Sequence, residues 1–117
     1  MGNKVNRLDK DLLAPYFERW DSVKDSIENL YSNRDEKAKA IALMSDAIDN
    51  YCNLLECGGK EINERTGSSE FVLLPLNGND RFEFIKERIN SHYAHVQLSA
   101  LYLESKKKAA RLYVMKK

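Results

Sequence analysis

Apolar and polar positions in the first third of the chain alternate with the period of an α-helix. Between Tyr16 and Tyr31 the apolar side chains recur every three or four residues, and charged side chains fill most of the positions between them. This spacing predicts an amphipathic helix of about 17 residues with one apolar stripe. Pro15 suits the first turn of this helix, where the missing N–H costs nothing.

A second helical period begins at Ala38 and ends at the glycine pair Gly58 and Gly59. Asn33, followed three residues later by Glu36, resembles a capping box at the start of this helix. We expect Gly58 to adopt the left-handed conformation that terminates it. Because the connection between the two helices is short, they are predicted to pack antiparallel as a helical hairpin.

Residues 59–79 have the least regular pattern in the chain. Residues 60–65 are compatible with a helical turn or two, and residues 71–76 read either as an extended segment over the core or as a short strand. A single strand without a partner is not a sheet, and Pro75 is unsuited to a central strand. We therefore predict that residues 71–76 form an extended crossover lying on the helices.

The helical period resumes in the last third of the chain, with Asn79 or Asp80 expected as the N-cap. It continues in step as far as Val114, which would make an unusually long helix for a chain of this size. We expect a break near Asn90, with Asn90 or Ser91 capping a new helix.

Together these segments predict an all-α fold, a small bundle of three to four helices with an extended crossover segment, in one domain spanning residues 1–117. The stripes predict a core of Phe17, Trp20, Val23, Ile27, Ile41, Ile48, Cys52, Leu55, Phe82, Ile85, Ile89, Val96, Ala100 and Leu103.

Composition and charge exclude several classes of protein. Hydrophobic residues make up 43% of the chain and charged residues 32%, which is too apolar for a disordered tail and too charged for a membrane protein. The N-terminus has no apolar segment typical of a secretory signal. We therefore expect a cytoplasmic protein without membrane attachment, in which Cys52 and Cys57 are reduced.

Charge is distributed unevenly although the net charge is only +1. Residues 1–58 carry eight basic and eleven acidic side chains, whereas residues 59–117 carry eleven basic and seven acidic ones. The two halves can attract each other within the fold, or they can give the molecule two faces with different partners.

Six positive charges lie within the last twelve residues with no acid among them: Lys106, Lys107, Lys108, Arg111, Lys116 and Lys117. Such a cluster can grip phosphates and give weak, salt-sensitive nucleic-acid binding without sequence preference. It is equally typical of a solvated helix end, since cations are favoured at a helix C-terminus.

His92 and His95 are the only histidines, and their spacing on a helix can place two imidazoles on one metal ion. A zinc site needs a third protein ligand, and the chain has no H-E-x-x-H pattern or supporting cysteine pair. We therefore predict no metal site and no cofactor.

Arg88 and His95 are separated by six residues, a spacing that resembles the R-x4–6-H motif of helical HEPN-type ribonucleases. There the arginine would hold a phosphate and the histidine would act as general acid and base. Ile89 stands where that family prefers a polar residue, and a helix break would misalign the pair. We therefore predict that the chain is not an enzyme and keep the ribonuclease as a third hypothesis.

Two motifs in the last third of the chain carry a second resemblance. They read Arg81-Phe82-x-Phe84-Ile85-x-x-Arg88 and His92-Tyr93-Ala94-His95-Val96-Gln97-Leu98-x-x-Leu101-Tyr102-x-Glu104. This pattern resembles the YpoC-like domain of low-GC Gram-positive bacteria, with two departures: Asn90 or Ser91 replaces a proline, and the second histidine is shifted by one position. The resemblance implies a cytoplasmic bacterial helical protein with no established activity. It leaves six motif residues without a known role, namely Arg81, Arg88, His92, Tyr93, His95 and Gln97.

The first helix has more apolar positions than one stripe needs, since Tyr16 and Phe17 are adjacent, as are Leu30 and Tyr31. A surplus of this kind sometimes marks a partner interface, and no catalytic groups converge in the pattern. We therefore predict a non-enzymatic cytoplasmic interaction module that binds a protein partner or itself. Nucleic-acid binding through the basic C-terminal helix is the alternative.

Overall fold

The structure is a computed structural model that describes residues 9–115, and it confirms the all-α fold. Helix α1 spans Lys10–Tyr31, a short 3-10 turn spans Arg34–Glu36, and α2 spans Lys37–Gly58. A small hairpin follows, formed by β1 (Lys60–Ile62) and β2 (Ser69–Phe71). Helices α3 (Gly78–Glu87) and α4 (His92–Met115) complete the described part of the chain. None of these helices is both long and apolar enough to cross a bilayer.

Helix α1 begins earlier than its apolar stripe predicts. The carboxylate of Asp9 accepts a hydrogen bond from the backbone N–H of Asp11 at 2.7 Å and so caps the helix. Pro15 therefore lies inside the helix rather than at its start. The sequence prediction missed this turn because it places Pro15 in the first turn of the helix, although Leu12, Leu13 and Ala14 before it are apolar and Leu13 is buried.

Helices α1 and α2 pack as the predicted antiparallel hairpin. The end of α2 contacts the start of α1, where Asn50 Nδ2 donates to the carbonyl of Tyr16 at 3.0 Å. In the connection, the side chain of Asn33 accepts from the N–H of Asp35 at 3.0 Å. Asn33 therefore caps the 3-10 turn, and α2 itself begins only at Lys37.

The roles of the two glycines at the end of α2 differ from the prediction. Gly59, and not Gly58, has the positive φ, at 83°. Gly58 is the last helical residue and is buried, and a Cβ on it would lie 2.6 Å from Leu73 Cδ1. Gly58 thus permits close packing of the following segment, which the sequence alone does not reveal.

A strand pair that the sequence analysis does not predict precedes the crossover and overlaps it only at Phe71. Strands β1 and β2 are antiparallel, with Lys60 opposite Phe71 and Ile62 opposite Ser69, so the alternative of a helical turn at residues 60–65 is wrong. The chain then crosses the bundle and buries Val72 and Leu73 in the core. The prediction that this segment covers the core is confirmed.

The break in the last third of the chain is confirmed, but the N-cap of α3 is not the predicted residue. Asn77, in the left-handed region with φ 58°, precedes the first residue of α3, Gly78. Helix α3 ends at Glu87, and the hydroxyl of Ser91 accepts from the N–H of Tyr93 at 3.1 Å. Ser91 therefore caps α4, as expected.

The core predicted for α1 to α3 is largely confirmed, but the one predicted for α4 is wrong. Phe17, Trp20, Ile27, Ile48, Leu55 and Ile85 are buried, and Val23, Ile41, Cys52, Phe82, Ile89 and Ala100 are partly exposed. Val96 and Leu103 are exposed. Helix α4 instead buries Ala94, His95, Leu98, Leu101, Tyr102, Ser105 and Ala109. The break changes the helical phase, so the stripe that continues α3 in sequence points away from the bundle.

Candidate interaction surface

The buried side of α4 is fixed by a polar network. The hydroxyl of Tyr102 donates to the carbonyl of Ala47 at 2.7 Å and accepts from Asn50 Nδ2 at 2.9 Å. Its ring stacks on Trp20 of α1, with centroids 4.5 Å apart. Tyr102 therefore joins α4 to both helices of the hairpin.

A second buried chain of hydrogen bonds runs beside the first. The hydroxyl of Ser105 donates to the carbonyl of Leu73 at 2.8 Å, and the hydroxyl of Tyr51 lies 2.7 Å from Ser105 Oγ. Burial raises the pKa of Tyr51 to about 12 and also raises the pKa of Tyr102. Both phenols stay protonated at neutral pH, so they are structural donors.

The two histidines of the motif have different environments. His95 is buried, and its Nε2 lies 2.9 Å from the carbonyl of Lys24 on α1. That nitrogen must carry the proton to donate to a carbonyl, so it cannot ligate a metal ion. Burial lowers the pKa of His95. His92 is exposed and stacks on His95 with centroids 5.8 Å apart.

Acidic residues of α1 lie beside these histidines. His92 Nε2 is 3.5 Å from Glu28 Oε1, and Glu28 and Asp25 both act on His95 electrostatically. Within residues 9–115 no group of three or more His, Cys, Asp or Glu side chains is arranged to hold a metal ion.

Arg88 does not approach His95. Its guanidinium lies over the ring of Phe84, 5.6 Å from the centroid, and Phe84 meets the ring of Tyr93 edge-on at 5.5 Å. His95 faces α1, and no contact joins it to Arg88 in the described part of the chain. Gln97, the remaining motif residue, is partly exposed.

Arg81 has a structural partner that the sequence pattern did not reveal. Its guanidinium makes a bidentate ion pair with Glu104, the last residue of the second motif, and so joins α3 to α4. The spacing of residues on separate helices carries no signal for such a pair.

The basic residues of α4 do not form one patch. Lys106 lies over the ring of Phe17, 5.9 Å from its centroid, whereas Lys108 donates to the carbonyl of Leu74 at 3.1 Å on another side of the helix. Lys107 and Arg111 are exposed and four residues apart, so they share one side. The predicted contributions of Lys116 and Lys117 fall outside the described residues.

Helix α4 carries a second apolar stripe, which faces away from α2. Its members are spaced alternately three and four residues apart. We name this set the outer stripe: Tyr93, Val96, Ala100, Leu103, Lys107, Ala110 and Val114. The exposed fractions of Tyr93, Val96, Leu103 and Val114 are 53%, 44%, 53% and 69%. A strict three-four alternation is the pattern of a helix seam that packs against another helix.

Helix α1 runs antiparallel to α4 along one flank of the outer stripe. Trp20 and Asp21 line a depression of about 390 Å³ together with Leu103 and Lys106. Nearer the end of α4, Leu13, Ala14 and Phe17 form a groove of about 480 Å³ with Ala109, Ala110 and Tyr113. The outer stripe is therefore bordered by concave, partly apolar surface.

The model of the YpoC-like proteins matches residues 10–117. This chain belongs to the YpoC-like family. The matched residues include the α1–α2 hairpin as well as α3 and α4, so the similarity extends well beyond the two motifs in the last third. No curated protein and no solved structure matches the chain.

In this YpoC-like chain, several motif residues hold the bundle together. Arg81, His95, Tyr102 and Glu104 bind other parts of the protein, whereas Tyr93 and Val96 belong to the outer stripe. The sequence prediction recognised Val96, Ala100 and Leu103 as a helical stripe but assigned them to the core. The same helix contains a competing apolar stripe at Leu98, Leu101 and Ala109, and this stripe indicates the side that is buried.

Proposed function

We propose that this YpoC-like chain is a non-enzymatic, cytoplasmic helical interaction module whose binding surface is the outer stripe of α4. The observation that carries the proposal is the line of exposed apolar side chains at Tyr93, Val96, Leu103 and Val114. Single exposed apolar residues are ordinary on a protein surface. A row at three-four spacing along one helix, here interrupted only by Lys107, is typical of helix-to-helix recognition.

The environments of the ionisable motif residues support a binding role over a catalytic one. The ribonuclease hypothesis needs His95 as general acid and base and Arg88 as the phosphate-binding arginine. His95 is buried against Lys24, and Arg88 lies over the ring of Phe84 without approaching His95. The two side chains therefore do not converge on one substrate.

Site-specific photo-crosslinking tests the proposal. A photoreactive amino acid is placed at Leu103, in the outer stripe, or at Glu56, an exposed position on α2, in cells that produce the protein. We expect a discrete protein adduct from position 103, identified by mass, and none from position 56. Equal yields from the two positions, or no adduct from position 103, would contradict the proposal.

Nucleic-acid binding is a second candidate, favoured by the exposure of Lys107 and Arg111 on one side of α4. These two charges can contact consecutive phosphates, and such binding weakens steeply with salt. The test is fluorescence anisotropy with a labelled duplex at low salt, comparing the wild type with Lys107→Glu/Arg111→Glu. Equal affinities for the two proteins, or no binding by either, would exclude this role.

A further inference from the structure

We infer that the outer stripe binds the outer stripe of a second copy of this chain, with the two α4 helices antiparallel. This inference rests on the proposed function, because it names the partner of the same surface. It draws on the size pattern of the stripe, the charges beside it, the neighbouring groove and the available area.

The large and small side chains of the outer stripe complement each other when two copies pair antiparallel. In one antiparallel register, Tyr93 faces Ala110 of the second copy and Ala100 faces Leu103 of the second copy. The apolar stem of Lys107 lies along Val96 of the second copy while its ammonium group reaches water. Each contact then pairs a bulky group with a smaller one, as interdigitated helices require.

The parallel arrangement lacks this complementarity. In register, it would place Lys107 against Lys107 of the second copy within the seam, where like charges repel. It would also set Ala100 opposite Ala100 of the second copy and leave a gap. The antiparallel arrangement avoids both defects.

Charges on α1 and α4 beside the stripe also include pairs that this arrangement brings together. Asp25 and Glu28 are exposed near the start of α4, where Glu28 approaches His92. Lys10 and Lys106 are exposed and line the groove nearer the other end, which Glu18 and Asp21 line as well. A two-fold axis across the stripe brings Lys10 and Lys106 of one copy towards Asp25 and Glu28 of the other.

The groove near the end of α4 offers a binding site for Tyr93, the largest side chain of the stripe. Ala14, Ala109 and Ala110 are small residues within the groove of about 480 Å³. In the antiparallel register, the ring of Tyr93 lies over Ala110 of the second copy, at the mouth of this groove. An aromatic anchor in a pocket floored by small side chains is a common feature of strong interfaces.

The area of this face is about three quarters of a standard interface. Helix α4 has 24 residues, and in this register residues 92–111 overlap, a length of about 30 Å. With α1 beside it, the face is about 20 Å wide, because a helix with its side chains is about 10 Å across. The resulting area of about 600 Å² compares with about 800 Å² per partner in standard interfaces.

Sedimentation velocity of the full chain tests the inference. We expect the wild type to sediment with twice its chain mass of 13.5 kDa. Leu103→Asp places a charge in the seam and should weaken the dimer at least tenfold. The matched control is Leu76→Asp, which changes a leucine that is 84% exposed outside the stripe and should leave the dimer intact.

A charge exchange keeps the inference testable even where Leu103→Asp impairs folding. Lys10→Glu/Lys106→Glu and Asp25→Lys/Glu28→Lys should each weaken the dimer at low salt, and the four changes together should restore it. A wild type that stays monomeric at the highest concentration, or a dimer that Leu103→Asp and the charge variants leave unchanged, would overturn the inference. In that case a photo-crosslinked adduct of different mass at position 103 would still support the proposed function.

Discussion

Arg81 on α3 and Glu104 on α4 form a bidentate ion pair, with Nη1 2.9 Å from Oε1 and Nη2 2.6 Å from Oε2. The hydrogen bonds from Arg81 lower the pKa of Glu104, and the same bonds raise the pKa of Arg81. Helix α3 has only ten residues, and this pair joins it to α4 in addition to the burial of Ile85.

Replacing Glu104 with glutamine should lower the free energy of unfolding by about 1 kcal/mol at neutral pH, since the pair is partly exposed and screened by water. The lowered pKa of Glu104 means that its contribution is complete above the ordinary pKa of glutamate and is lost as the pH falls through the lowered value. Urea unfolding at several pH values measures this. A difference between wild type and variant that persists in strong acid would contradict the assignment, and Glu64→Gln serves as the exposed control.

Removing the hydroxyl of Tyr102 should destabilise the bundle. In Tyr102→Phe, the carbonyl of Ala47 loses its donor and Asn50 loses an acceptor in a buried site. Such a loss costs about 1–3 kcal/mol. The matched change Tyr93→Phe, at an exposed position, should have little effect on the urea midpoint. Equal midpoints for the two variants would show that the network contributes nothing.

Two glycine substitutions separate the effect of side-chain crowding on stability from the effect of backbone conformation. In Gly58→Ala the new Cβ would collide with Leu73, and overpacking of this kind costs about 1–3 kcal/mol. In Gly67→Ala, φ is 75° with nothing within 4 Å of the new Cβ, so only the left-handed backbone is penalised, by about 1 kcal/mol. Thermal unfolding should rank Gly58→Ala as the less stable variant, and the reverse order would contradict the close contact.

The buried His95 makes stability depend on pH. Burial lowers its pKa from the ordinary 6.5, so in the window below 6.5 the unfolded chain binds a proton that the folded chain does not. The free energy of unfolding of the wild type should therefore fall as the pH drops through this window. His95→Gln keeps a donor for Lys24 but does not titrate, so its deficit relative to the wild type should shrink on acidification. A deficit that stays constant between neutral and mildly acidic pH would contradict this account.

The helical hairpin was predictable because its apolar stripes are long and unambiguous. The roles of the glycines were not, because the contact of Gly58 with Leu73 joins residues that only the folded chain brings together. The β-hairpin was missed because its strands have three residues each, too few to show an alternating pattern.

The orientation of α4 was unpredictable for a different reason. Its buried side includes His95 and Ser105, two polar residues that a hydrophobic pattern assigns to the surface. They are accommodated because the carbonyls of Lys24 and Leu73 accept their hydrogen bonds. The outer stripe contains no polar residue before Lys107, so the hydrophobic pattern favours it over the buried side as the core.

Cysteine cross-linking tests the antiparallel pairing of the outer stripes most directly. Tyr93→Cys and Ala110→Cys are combined in a chain that also carries Cys52→Ala and Cys57→Ala. The two new thiols are about 25 Å apart along one helix, too far for a disulfide within a chain. We predict that mild oxidation gives a covalent dimer from the double variant, whereas either new cysteine alone leaves the chain monomeric. No covalent dimer from the double variant, or equally efficient cross-linking of Tyr93→Cys alone, would contradict the central claim.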